Sequence, residues 1–172
     1  MKIDFRRIVK DHFLTLKDGN NTRPSFIDLF VFFVVPLIFA SLTSWLNPPL
    51  SKELYNISIT FFGIFIALLL NIQVAIFGIF QRNWAKPEDE RLAIMQEQKL
   101  SWKRRLLKEI NSNISYLVLF CCLGLFLFVG LYIFEATSRI FSFIIILVYM
   151  HFLLTLLMVV KRSHSLFQAE YS

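Results

Sequence analysis

Apolar residues collect in four long runs along this chain. The longest run, Leu54–Phe80, contains no charged residue and no proline. A helix rises about 1.5 Å per residue, so this run exceeds the roughly 30 Å of hydrocarbon in a bilayer. Three further runs, each about as long as one crossing requires, are Phe26–Leu46, Ile114–Phe134 and Ile140–Val160. The pattern predicts an all-α membrane protein built as a four-transmembrane-helix bundle.

Small residues recur about every fourth position in the longest run. This small-residue seam consists of Gly63, Ala67, Asn71, Ala75 and Gly78. Lipid tails are as apolar as leucine, so membrane helices associate where small side chains let their backbones approach closely. The seam therefore predicts helix packing, either against the chain's own helices or against a second copy in a homo-oligomer.

The residues before the first run have helical amphipathic spacing. One face carries Phe5, Ile8, Val9, Phe13 and Leu16, and the other carries Asp4, Arg7, Lys10 and Asp11. A basic polar face opposite an apolar face is typical of an interfacial helix. We therefore expect residues 2–17 to form an N-terminal interfacial amphipathic helix. The alternative is a docking surface for a protein partner.

The polar segment between the second and third runs also has helical character. No proline follows Pro87 before the end of the third run, which predicts one continuous helix from Glu88 through that span. Its apolar stripe contains Leu92, Met95, Trp102, Leu106 and Ile110. An apolar stripe outside the membrane requires a covering surface. We therefore predict a cytosolic helical extension whose outer end binds a protein partner through Glu88, Asp89, Glu90, Leu92 and Met95.

Charge predicts the orientation of the chain. Sixteen of the eighteen lysines and arginines precede the first run, lie between the second and third, or follow the fourth; the exceptions are Lys52 and Arg139. By the positive-inside rule, both termini and the long loop are cytoplasmic. The net charge of +6 then favours anionic lipids as partners, without direct nucleic acid binding. The predicted lipid head-group contacts are Lys103, Arg104, Arg105 and Lys108.

These expectations divide the chain into seven segments. They are 1–25 (cytosolic and interfacial), 26–46 (first span), 54–80 (second span), 81–113 (basic amphipathic helix), 114–134 (third span), 140–160 (fourth span) and 161–172 (a frayed cytosolic tail). Glu135 and Arg139 flank the short turn between the last two spans, where we expect a weak surface ion pair.

Polar groups within the spans are few, and Asn71, His151 and Thr155 are the candidates for an intramembrane polar site. An ionisable group at that depth is a functional candidate, although a neutral histidine can be satisfied by a hydroxyl or carbonyl group. No phosphate-binding glycine loop, metal-ligand spacing or nucleophile motif occurs, so we expect neither an enzyme nor a cofactor.

The order of these elements resembles the membrane component of the Kiwa anti-phage defence system, a small bacterial protein with four spans. The resemblance covers the basic start, the small-residue span FFGIFIALLLNIQVAIFGIF, the helix PEDERLAIMQEQKLSWKRRLLKEI and the closing hairpin. It implies an inner-membrane sensor and scaffold that forms homo-oligomers, with a tetramer favoured. Such a scaffold holds a cytosolic, nucleic-acid-binding effector near the site of infection.

The alternative hypothesis is a homo-oligomeric pore or ion channel that depolarises the cell. A pore requires a polar lining, for which the spans offer only Asn71, Gln73, His151 and Thr155. A packed scaffold fits the mostly Phe, Leu and Ile spans better.

Overall fold

The computed structural model describes residues 5–15, 26–47, 49, 51–81 and 90–171, with the backbone alone for 26–29, 90, 92, 93, 98 and 169–171. The described residues form five helices and no strand, which confirms the predicted all-α class. The helices are α1 (Phe5–Thr15), α2 (Phe26–Leu46), α3 (Lys52–Phe80), α4 (Glu90–Ile133) and α5 (Arg139–Tyr171).

Three stretches of these helices are long and apolar enough to cross a membrane: Lys52–Phe80, Ile94–Ile133 and Arg139–Gln168. These three helices fit a multi-pass membrane protein. The predicted first span corresponds to α2, whose fully described part, Phe30–Leu46, is apolar but shorter than the other three.

The core forms where α3 packs against α4 and α4 packs against α5. Seven residues make about two helical turns, so one face of α3 buries Tyr55, Phe62, Leu69 and Ile76. Phe62 lies 5.2 Å, between ring centroids, from Phe128 of α4. Aromatic contacts of this kind and their buried area hold the three long helices together.

Helix α2 is peripheral and packs against α5. Its buried residues among those with described side chains recur every fourth position, at Phe32, Pro36 and Ala40. The last turn of α2 is joined to the start of α5, where the Ser44 hydroxyl donates to the Arg139 carbonyl at 2.8 Å.

Helix α4 is continuous for 44 residues, about 66 Å at the normal helical rise. The predicted continuous helix is therefore present from Glu90 onward, while the predicted start at Glu88 lies outside the described residues.

The expected ion pair at the turn between α4 and α5 is wrong. Glu135 pairs with Lys52 at the start of α3, with 2.5 Å between Nζ and Oε1, and not with Arg139. Glu135 has a φ of 49°, and the Ala136 amide bonds to the Leu131 carbonyl. This is a Schellman turn. Lys52 lies close enough to pair because α3 and α4 are packed side by side.

The expected frayed tail is also wrong over its described part, because α5 continues to Tyr171. The Arg162 side chain donates to the carbonyl of Thr15 and lies 3.6 Å from a carboxylate oxygen of Glu109. These contacts with α1 and α4 hold the helix beyond the end of its apolar run. We call this end of the bundle, with α1, the middle of α4 and the end of α5, the basic end.

Candidate functional site

Helix α1 brings a histidine into the bundle. His12 lies between Val9 and Phe13 on the face predicted to rest on the membrane. That face instead packs against α4, with His12 fully buried and Phe5 exposed. The prediction of an interfacial helix therefore overlooked His12, a polar residue in the middle of the apolar face. Such a residue needs a hydrogen-bond partner, and α4 supplies one.

The partner is Asn113, which is also fully buried. His12 Nδ1 lies 2.9 Å from Asn113 Oδ1, and the Thr15 hydroxyl lies 2.8 Å from the same oxygen. An amide oxygen accepts, so Nδ1 carries the imidazole proton in this arrangement. Within the part of the chain that the structure describes, His12 Nε2 and Asn113 Nδ2 have no hydrogen-bond partner.

A row of rings continues from His12 toward α5. The imidazole stacks on Tyr116, with 3.9 Å between centroids and 2° between planes. The Tyr116 hydroxyl lies 2.7 Å from His151 Nε2. We call His12, Thr15, Asn113, Tyr116 and His151 the polar cluster. The cluster joins α1, α4 and α5 through buried polar contacts.

Charged residues close the cluster at the basic end. Thr15 is the last residue of α1, and its carbonyl accepts from Arg162. A cation at the end of a helix compensates the carbonyl groups that have no partner within the helix. Glu109 lies beside both Arg162 and Arg105, at 3.6 and 3.3 Å.

Burial lowers the pKa of His12 to about 4, with smaller lowering contributions from the charges of His151 and Arg162. The hydrogen bond with Asn113 acts in the opposite direction. His12 is therefore neutral at pH 7 in this position. The cluster can donate and accept hydrogen bonds, but its first imidazole carries no charge.

The small-residue seam lies on the side of α3 away from the core. Of its two glycines, Gly63 approaches another helix, since a Cβ there would lie 4.0 Å from Leu125, whereas nothing lies within 4 Å of a Cβ at Gly78. Ala67, Asn71, Ala75 and Gly78 are exposed. The chain's own described helices thus leave most of the seam uncovered, contrary to the own-helix alternative.

The three candidates for an intramembrane polar site do not come together. The Thr155 hydroxyl donates to the carbonyl of His151 at 2.9 Å, not to its ring. The ring is bonded to Tyr116, and Asn71 lies on the exposed side of α3.

The residues predicted to bind a partner are described only in part. Glu88 and Asp89, with the side chains of Glu90 and Leu92, lie outside the described residues, while Met95 is exposed. The predicted head-group contacts lie along α4: Arg104, Arg105 and Lys108 are exposed and Lys103 is half-buried.

Sequence reasoning missed His12, Asn113, Tyr116 and Arg162. One signal was available, because His12 lies three residues after Val9 on an otherwise apolar face. The described residues contain no group of three or more metal-binding side chains. No family model, curated protein or solved structure matches this chain.

Proposed function

We propose that this protein is a homo-oligomeric scaffold and sensor of the bacterial inner membrane that recruits a cytosolic effector, in anti-phage defence. Four helices span the membrane, α2 to α5. Both termini and the first part of α4 lie in the cytoplasm, as the distribution of lysine and arginine favours. This agrees with what the resemblance to the Kiwa membrane component implies.

The observation that carries this proposal is the uncovered apolar surface on the first part of α4. Ile94, Met95 and Trp102 are 54%, 63% and 43% exposed, whereas Leu107 and Ile110 further along are buried by the chain itself. Ile94 to Trp102 precede the apolar run and carry neighbouring charges, so lipid does not cover them. A protein partner does.

The outward seam of α3 supports self-association. Ala67, Asn71 and Ala75 are exposed in the middle of an apolar helix, and the Asn71 amide has no hydrogen-bond partner among the described residues. A second copy would bring small residues against small residues and provide a hydrogen-bond partner for that amide. We favour a tetramer. Its effector is a cytosolic protein, nucleic-acid-binding in the Kiwa comparison.

The pore hypothesis has less support. Three of the four polar residues that could line a pore are engaged within one chain: Gln73 with Ser115, His151 with Tyr116, and Thr155 with the His151 carbonyl. Asn71 alone makes a thin polar lining.

A pull-down of the product of the adjacent gene tests recruitment. Met95→Lys places a charge in the exposed apolar surface, and we expect recovery to fall at least about tenfold. Glu97→Lys is the matched control: it adds a lysine two residues further on, at an exposed position on the opposite side of the helix, and should keep recovery. The triple reversal of Glu88, Asp89 and Glu90 to lysine should also abolish recovery.

Native mass spectrometry of each variant establishes that the oligomer is intact. Equal recovery for Met95→Lys and Glu97→Lys, with intact oligomers, contradicts recruitment through this surface. Single-channel conductance of the purified protein would then favour the pore.

A further inference from the structure

A cavity of about 420 Å³ lies between α1 and α4 at the basic end. From α1 its wall includes Asp11 and Thr15, and from α4 it includes Arg105, Lys108, Ser112 and Ser115. The α4 residues recur at helical spacing, so they share one face. The cavity adjoins the polar cluster at Thr15, but none of the interactions described above fills it.

The uncharged polar groups of the wall offer hydrogen-bond donors. The Ser112 hydroxyl is buried and without a partner in the described part of the chain. Ser115 Oγ accepts from the Gln73 amide at 2.8 Å, so its own proton remains for another acceptor. A buried hydroxyl without a partner is costly, and a ligand oxygen here would remove that cost.

The acids around the cavity already have cationic partners. Glu109 lies beside both Arg105 and Arg162, and Asp11 lies 3.9 Å from Arg7. Lys108 has no acid within salt-bridge distance among the residues with described side chains. Glu109 has two guanidinium neighbours and Lys108 adds a third cation, so the local charge is positive. The complementary ligand is an anion with several acceptor oxygens.

We propose that this cavity binds a phosphate group, supplied by the phosphodiester of an anionic phospholipid. Its α4 wall extends from Arg105 to Ser115, and the apolar run of α4 begins at Ile114. The cavity therefore lies at the level where a bilayer places its phosphates. Lys108 contributes the charge, and the hydroxyl groups of Ser112 and Ser115 donate to the phosphate oxygens. This site does not depend on recruitment of an effector.

Native mass spectrometry in mixed micelles of detergent and phosphatidylglycerol tests the site. The variant Lys108→Gln with Ser112→Ala should lose bound lipid by about tenfold relative to the unchanged protein. Lys161→Gln removes one positive charge from the basic end at an exposed position of α5 outside the cavity wall, so lipid retention should be unchanged. Melting curves without lipid establish that both variants are folded.

Parallel samples with inorganic phosphate and with glycerol 3-phosphate, both without lipid, distinguish the sources of the phosphate group. Stabilisation by phosphatidylglycerol alone, lost in the cavity variant, identifies the lipid. Equal stabilisation by the small phosphates, lost in the same variant, keeps the phosphate site but overturns the lipid as its occupant.

Equal loss in the Lys161 variant and the cavity variant overturns the site, because binding would then follow net charge alone. Unchanged lipid binding in a folded cavity variant overturns it as well. Neither result bears on the pull-down, since no effector is present in these samples.

Discussion

His12 and Tyr116 lie face to face, with ring centroids 3.9 Å apart and planes within 2° of parallel. They are 104 positions apart in the sequence, so this contact fixes the first helix against the middle of the fourth. The Tyr116 hydroxyl also forms a hydrogen bond with His151, so a change at α1 reaches α5 through the ring stack and this hydrogen bond. The position of α1 is therefore linked to the protonation state of the buried His12 imidazole.

Acidification should release α1 from α4. The pKa of His12 is lowered to about 4 in the docked position, and its ordinary value is near 6.5, so the undocked form binds the proton more readily. Docking is therefore strongest above pH 6.5 and weakens as the pH falls toward 4. Spin labels on exposed positions of α1 and α4, at Lys10→Cys and Arg104→Cys in a Cys121→Ser, Cys122→Ser background, should report a longer distance at pH 5 than at pH 7.5.

Two variants identify the group that titrates in this experiment. His12→Gln should make the distance independent of pH, whereas His164→Gln, at an exposed position of α5, should leave the change intact. A distance that still lengthens with acid in His12→Gln would assign the effect to another group, such as His151.

Removing the amide of Asn113 should destabilise the protein. Asn113→Leu leaves His12 Nδ1 buried without its acceptor, which costs about 1–3 kcal/mol, while the Thr15 hydroxyl keeps the His12 carbonyl as an acceptor. The melting temperature in detergent should fall by several degrees. Asn56→Leu, at an exposed amide of α3, should change it little, and an equal fall in both variants would contradict a role for the cluster.

Bulk added to the seam should affect assembly and not the fold of one chain. The leucine side chain of Gly78→Leu would enter open space, since nothing lies within 4 Å of a Cβ at Gly78. Ala67→Leu also adds bulk at an exposed position. Both leucine variants should lower the oligomer fraction in crosslinking and keep the melting temperature of the monomer. Ile72→Phe adds bulk at an exposed position outside the seam and should keep the oligomer.

Bulk added to the core should have the opposite effect. A Cβ at Gly124 lies 3.6 Å from Phe62 and 3.7 Å from Phe128, so alanine fits there but leucine meets both rings. Gly124→Leu should lower the free energy of unfolding by about 1–3 kcal/mol through overpacking, and the melting temperature should fall with it. If Gly124→Leu is as mild as Gly78→Leu, the assignment of the inner and outer faces is wrong.

The turn after α4 should prefer glycine to a β-branched residue at position 135. Glu135 has a left-handed φ of 49°, which a glycine adopts without steric conflict and a valine resists. Glu135→Gly should therefore have a higher melting temperature than Glu135→Val. Both variants lose the ion pair with Lys52, so their difference reports the backbone alone. Melting of Lys52→Ala measures the exposed pair, and we expect a small effect.

Local sequence patterns predicted the positions of the helices well, but they predicted poorly which residues of different helices lie in contact. Apolar length predicted α3 and the continuity of α4, because one stretch of sequence determines each property. The contact of His12 with Asn113 spans 101 positions, and no periodicity indicates which distant amide meets a histidine. Glu135 illustrates the same limit: its nearest cation in the sequence is Arg139, but the packing of α3 brings Lys52 closer.

The extension of α5 and the direction of the seam were unpredictable for a related reason. Residues 161–171 form a short polar segment, so their helix depends on the contacts that Arg162 makes with α1 and α4. The seam is visible in the sequence of α3, but which side of that helix faces the core depends on the whole set of aromatic contacts, such as Phe62 with Phe128.

The neighbour of α2 sets an order for biosynthesis. The described part of α2 packs along α5 and makes no backbone approach to α3, the next helix in the chain. During translation α2 is therefore made long before α5, the helix against which it packs. A ribosome that stalls before Arg139 leaves the face of α2 that carries Phe32, Pro36 and Ala40 without its packing surface. The attachment of α2 therefore waits for the synthesis of α5, although α3 and α4 are made in between.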